Sequence, residues 1–156
     1  MTRKPVASEE DIRARIFSEH AMLRRGMATL SREAAGAQKG IAGAIGRLYD
    51  AVRDVRDAFE RHLDYEERAF VPLLREADAW GPVRVTHLLD DHRQQRIALV
   101  ALVEDVTEGA KPIDELAEEI AWLIRSLQND MDQEESKLLD SYALGTCSIV
   151  LDQTDG

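Results

Sequence analysis

A single cysteine, Cys147, leaves the chain without any internal disulfide framework, so stability rests on core packing and a reducing cytoplasm is the expected home. Equally missing is an apolar run approaching the roughly 18 residues that span a bilayer, and the amino terminus has no signal-peptide core. No association with a membrane is expected. Proline occurs only 4 times and aromatic residues make up 5% of the chain. With 44% apolar and 32% charged residues, that poverty fits an all-helical soluble protein and argues against disorder. Basic residues are also in deficit, 20 Lys and Arg against 30 Asp and Glu, giving a formal charge of -10. That is the wrong sign for a phosphate-binding surface, so nucleic acid is excluded as an expected partner.

What is present is helical periodicity. The 156 residues suit one domain with a real core, and apolar residues recur in steps of three and four along four stretches, about 9–37, 43–77, 82–108 and 112–141. The first opens at Ser8, which with Asp11 resembles a capping box, and runs inward through Ile12, Ile16, His20, Leu23, Met27 and Leu30. The glycines between Gly36 and Gly46 hold the first bend, placed near Ile41. The second stretch reads Ile45, Leu48, Val52, Val55, Phe59, His62, Glu66, Phe70 and Leu73, with Pro72 as a candidate kink, and stops at Asp78-Ala79-Trp80-Gly81-Pro82. The third presents Val85, Leu89, His92, Arg96, Leu99, Val103 and Val106. The fourth presents Ile113, Leu116, Ile120, Leu123, Leu127, Asp130, Glu134 and Leu138. Short connections make neighbours antiparallel, which predicts an all-α, up-down-up-down four-helix bundle. Residues 142–156 read as a short carboxy-terminal tail, and Cys147 within it receives no catalytic role.

Each stripe is interrupted at one level by an ionisable group: His20, the pair His62 and Glu66, His92, and the pair Asp130 and Glu134. Such groups are costly in a core unless neutralised, paired or bound to a metal. Taken singly, a core-facing histidine is more often a hydrogen-bonded core residue than a ligand. The conjunction changes that reading, because distances to the joining turns match: Glu66 and His92 each lie about 12 residues, roughly 18 Å, from the turn between their helices. A histidine and a carboxylate at i and i+4 share a helix face and can contact one ion or bridge two. Imidazoles with carboxylates suit iron or manganese better than a structural zinc site. Glu67, Asp90, Asp91, Asp132 and Glu135 read as a solvated face or an outer layer around the site. His87, about 140° around its helix from His92, is left out. Arg96, in core phase, either neutralises a carboxylate or snorkels outward.

These residues resemble a known family. His20 in S-E-H-A-M-L-R-R, His62 with Glu66 in R-H-L-D-Y-E-E-R-A-F-V-P-L-L, His92 in L-L-D-D-H-R, and D-M-D-Q-E-E-S-K-L-L from Asp130 are similar to the hemerythrin-like proteins, the HHE cation-binding domain. The resemblance spans about residues 12 to 140. It implies a di-iron centre, oxo- or hydroxo-bridged, with manganese as the alternative metal, and dioxygen or another small diatomic or oxidant as partner, in a monomer or homodimer. Two departures stand out: Arg96 occupies the position of a second histidine on helix three, and Asp130 that of the histidine on helix four. The expected function is therefore a protein that binds or reacts with dioxygen, nitric oxide or peroxide as sensor, store or scavenger. The alternatives are a di-iron oxidase or oxygenase acting on a small substrate, and a metal-poor helical interaction module. Whether the protein is an enzyme stays open at this level.

Overall fold

The computed structural model describes residues 6–139. Cys147 and the tail lie outside them. Helix α1 (Glu9–Gln38) starts from Ser8, whose Oγ accepts from Asp11 N–H at 3.1 Å while Asp11 Oδ2 accepts from Ser8 N–H at 3.2 Å. This reciprocal cap satisfies two of the amide donors that a helix start leaves free. The bend to α2 falls between Gly40 and Gly43, both at positive φ (70° and 76°), with Ile41 exposed between them. Left-handed backbone of this kind favours glycine.

Helix α2 runs from Ala44 to Tyr65, widens into a π-helical turn over Glu66–Phe70, and continues as an α-helix over Val71–Glu76. The widening has a local cause. Pro72 has no amide to donate, and in an unbroken α-helix its ring would press on the carbonyl four residues back. A turn with one extra residue, closed by Val71 N–H on Glu66 O, absorbs that conflict. Pro72 thus acts before itself, on the turn that carries Glu66, and beyond it Leu74 is buried while Leu73 is only partly so.

Helix α3 (Gly81–Glu108) begins with Gly81-Pro82 and ends at Gly109 in the left-handed region, and α4 covers Ile113–Lys137. The four helices pack in sequence order, with α1 also against α4, which closes the antiparallel ring. Among the described residues there is no strand, and no helix is long and apolar enough to cross a membrane. Gly81 is set hard against the preceding turn: a Cβ there would collide with the carbonyl oxygens of Leu74 and Arg75. Replacing Gly81 with alanine is expected to destabilise the fold by about 1–3 kcal/mol through overpacking, measured by chemical denaturation.

The core is divided. One apolar cluster holds Leu23, Met27, Leu48, Phe59, Leu99, Leu102, Leu127 and Met131 with their neighbours, and a second holds Ile12, Ile16, Phe70, Leu74, Val85, Leu88 and Leu139. His20 falls between Ile16 and Leu23, His62 and Glu66 between Phe59 and Phe70, and His92 between Leu88 and Leu99. Glu134 falls between Met131 and Leu139. One polar layer therefore separates two dry halves of the bundle.

Candidate metal centre

Glu66 is the hub of that layer. Its carboxylate is fully buried, as is the ring of His20, with His62 and His92 nearly so. Oε2 accepts from His92 Nε2 at 2.9 Å. Oε1 lies 2.7 Å from His62 Nε2 and 3.6 Å from His20 Nε2, and His20 Nε2 lies 3.1 Å from Glu134 Oε1. All three imidazoles thus point Nε2 inward, toward two carboxylates. The rings of His20 and His62 meet edge to face with centroids 4.9 Å apart.

Apart from the bond between Glu66 and His92, short distance does not make these contacts hydrogen bonds. Among the described residues His20 Nε2, Glu66 Oε1 and Glu134 Oε1 are buried with no hydrogen-bond partner, although neighbours stand 2.7 to 3.6 Å away. Buried polar atoms are rarely left this way in a native interior. His20, His62, Glu66 and Glu134 each offer a donor atom, and the four atoms lie within 4.8 Å of one another. Two imidazole nitrogens and two carboxylate oxygens aimed at a common volume are a ligand set for a divalent cation.

Protonation supports the same reading. Burial favours a neutral His20, yet the carboxylates of Glu134 and Glu66 override it and raise its pKa to about 10. His62 rises to about 9 against the same burial, through Glu19 and Glu66. His92 is also raised, by Glu66 and then Glu67, against burial. Burial pushes Glu134 up to about 8, reinforced by the negative charge of Glu66, while three imidazoles hold Glu66 well below the usual carboxylate range despite its burial. Without a cation the cluster is neutralised by protons.

Of the positions expected from sequence, His20, His62, Glu66, His92 and Glu134 come together. Asp130 does not join them. Met131, one residue on, takes the core-facing place, and Asp130 sits at the α3 edge of the stripe, where its Oδ2 accepts from Gln95 Nε2 at 3.0 Å. The buried face of α4 is centred on Ile120, Leu127 and Met131, with Ala117 and Ile124 beside them, and Asp130 falls on its flank. Asp130, Gln95 and Asp91 line a cavity of about 280 Å³ between α3 and α4 that ends on His92 and Glu134. His87, set aside on phase, is exposed and lines the same cavity. Glu19, outside the apolar stripe of α1, also reaches the layer, its Oε1 3.5 Å from His62 Nδ1, and the helical period carries no sign of it.

A comparison with protein families gives a match to the hemerythrin HHE cation-binding domain over residues 11–141. The chain belongs to the hemerythrin HHE cation-binding domain family. The match takes in all four helices of the hemerythrin-like bundle and every residue of the buried cluster, so the geometry and the family agree on a metal-binding protein. No curated protein and no solved structure matches the chain significantly.

Proposed function

We propose that this hemerythrin-like chain is a non-haem di-iron protein that binds or reacts with dioxygen, nitric oxide or peroxide, as a sensor, store or scavenger. The observation that carries the reading is the convergence of three Nε2 atoms on the two oxygens of one buried carboxylate. His20, His62, Glu66 and Glu134 would hold one ion, and His92 with Glu66 a second. His92 and Glu134 line the cavity between α3 and α4, so an exogenous molecule would reach the centre from that side. Iron would supply one-electron redox chemistry there, and manganese is the alternative metal. The chain's own part is to hold the imidazoles and carboxylates in place between two dry apolar clusters.

The cavity supports a second reading. At about 280 Å³, with access to His92 and Glu134, it falls at the lower edge of ligand-pocket sizes and would admit a small substrate for an oxidase or oxygenase. Anaerobic loading with ferrous iron followed by mixing with oxygen separates the two. A visible absorption that persists and reverses under vacuum supports binding. Rapid irreversible oxidation, repeatable after each reduction, supports turnover, and a protein that takes up no iron overturns both.

A further inference from the structure

The histidines of the cluster are also held from outside, and two of them by the same device. On α1, His20 is followed one turn later by Arg24, and facing them on α4 stand Glu134 and Glu135. On α3, His92 is followed one turn later by Arg96, and facing them on α2 stand Glu66 and Glu67. In each module the first glutamate faces Nε2 and the second takes Nδ1. His20 Nδ1–H donates to Glu135 at 3.2 Å, and His92 Nδ1–H donates to Glu67 at 3.1 Å. The arginine then grips the second glutamate with both terminal guanidinium nitrogens, Nη1 and Nη2. Arg24 reaches Glu135 at 2.8 and 2.6 Å, and Arg96 reaches Glu67 at 2.6 and 3.2 Å.

We propose that Glu135 with Arg24, and Glu67 with Arg96, are positioning pairs that lock His20 and His92 with Nε2 turned inward for metal. This rests on the metal reading above and goes beyond it by assigning residues that touch no ligand position. The chemistry is that of a ligand imidazole whose other nitrogen donates to a carboxylate, which fixes the tautomer and ring orientation and raises the basicity of the ligating nitrogen. A bidentate arginine makes the carboxylate itself immobile. It also gives Arg96 a purpose: where the family resemblance places a second imidazole on helix three, this chain sets a guanidinium that acts through Glu67. Glu60 and Asp64 accept further bonds from Arg96 and aim it at that place. His62 lacks the device: among the described residues its Nδ1 has no hydrogen-bond partner, and Glu19 stands off at 3.5 Å.

The test uses the whole chain and cobalt(II) as the probe. Glu67→Ala and Glu135→Ala are each expected to weaken cobalt binding by about 10- to 100-fold, with Arg96→Gln and Arg24→Gln giving smaller losses in the same direction. In the metal-free protein, nitrogen-15 NMR is expected to show slowly exchanging Nδ1 protons on His20 and His92. Glu67→Ala should remove the signal of His92 alone, and Glu135→Ala that of His20 alone. Glutamine at either position keeps an acceptor, so it should restore the proton signal and part of the affinity. Alanine variants that lower the melting temperature but leave cobalt affinity and both signals unchanged would overturn the proposal, because a merely structural ion pair predicts that pattern. Failure of the parent chain to bind cobalt would overturn the metal reading instead, and the imidazole signals would still decide whether the grips exist.

Discussion

Replacing Glu66 with alanine is expected to abolish metal uptake and to cost the metal-free protein about 3–5 kcal/mol. The carboxylate is fully buried and is approached by the Nε2 atoms of His20, His62 and His92. Against burial, carboxylates raise all three imidazoles, His20 to about 10 and His62 to about 9, and burial pushes Glu134 up to about 8, so Glu66 carries the main negative charge at the centre of the layer. Removing it leaves buried imidazoles facing one another, with His20 and His62 only 4.9 Å apart between centroids. They must lose their protons or force water into the core. Alanine also leaves a hole in a packed interior, which adds to the loss. Glu66→Gln separates the two effects: the shape survives, the charge does not, and metal uptake is still expected to fail. Urea denaturation and elemental analysis read the outcomes. A Glu66→Ala protein that keeps its full metal content would show that the cluster is organised around something else.

The second large effect is a pair of opposite pH dependences. The pKa of His20 rises from 6.5 to about 10 on folding and that of His62 to about 9, so their contribution to stability is complete below pH 6.5 and is lost as pH climbs through those values. Glu134 acts in the same direction over a lower window: its pKa rises from 4.5 to about 8, so its contribution is complete below pH 4.5 and is lost as pH climbs through about 8. The metal-free protein is therefore expected to lose stability between pH 6.5 and about 10, with a fall in melting temperature on the order of 10 °C. Metal affinity should move the other way. Ligation requires the same three groups to give up protons, so loading releases protons and tightens as pH rises. Melting curves with and without cobalt across this range should diverge steadily. Parallel curves would mean that the metal does not displace those protons.

The stripe of α1 was fully legible in the sequence, and Ile12, Ile16, His20, Leu23, Met27 and Leu30 are all buried. Its amphipathic period is regular, and the glycines at 40 and 43 place the bend around Ile41 as expected. Elsewhere single positions slip: Ile45, two residues past Gly43, is exposed while Ala44 is buried in its place. In α3, Leu88 and Leu102 are buried where Leu89 and Val103 were expected, and in α4 Met131 displaces Asp130. Fixed steps of three and four do not say which of two adjacent residues faces inward where both lie near the edge of the stripe. The π-helical turn at Glu66–Phe70 left only an indirect trace, in Pro72, because a proline reports a conflict without saying where the helix resolves it. The outer carboxylates were the hardest to place. Glu67 and Glu135 lie on the flanks of their stripes, where composition cannot separate a solvated acid from one that crosses to a histidine on the next helix. Only tertiary packing decides between them, as the contacts of Glu67 with His92 and of Glu135 with His20 show.

Anomalous diffraction from crystals of the chain soaked in cobalt or iron tests the central claim most directly. The account predicts density in the polar layer between the two apolar clusters, bonded to His20, His62, Glu66 and Glu134, with a second peak on the His92 side of Glu66. An unchanged cluster with no anomalous density, after soaking at concentrations that saturate hemerythrin-like sites, would contradict it.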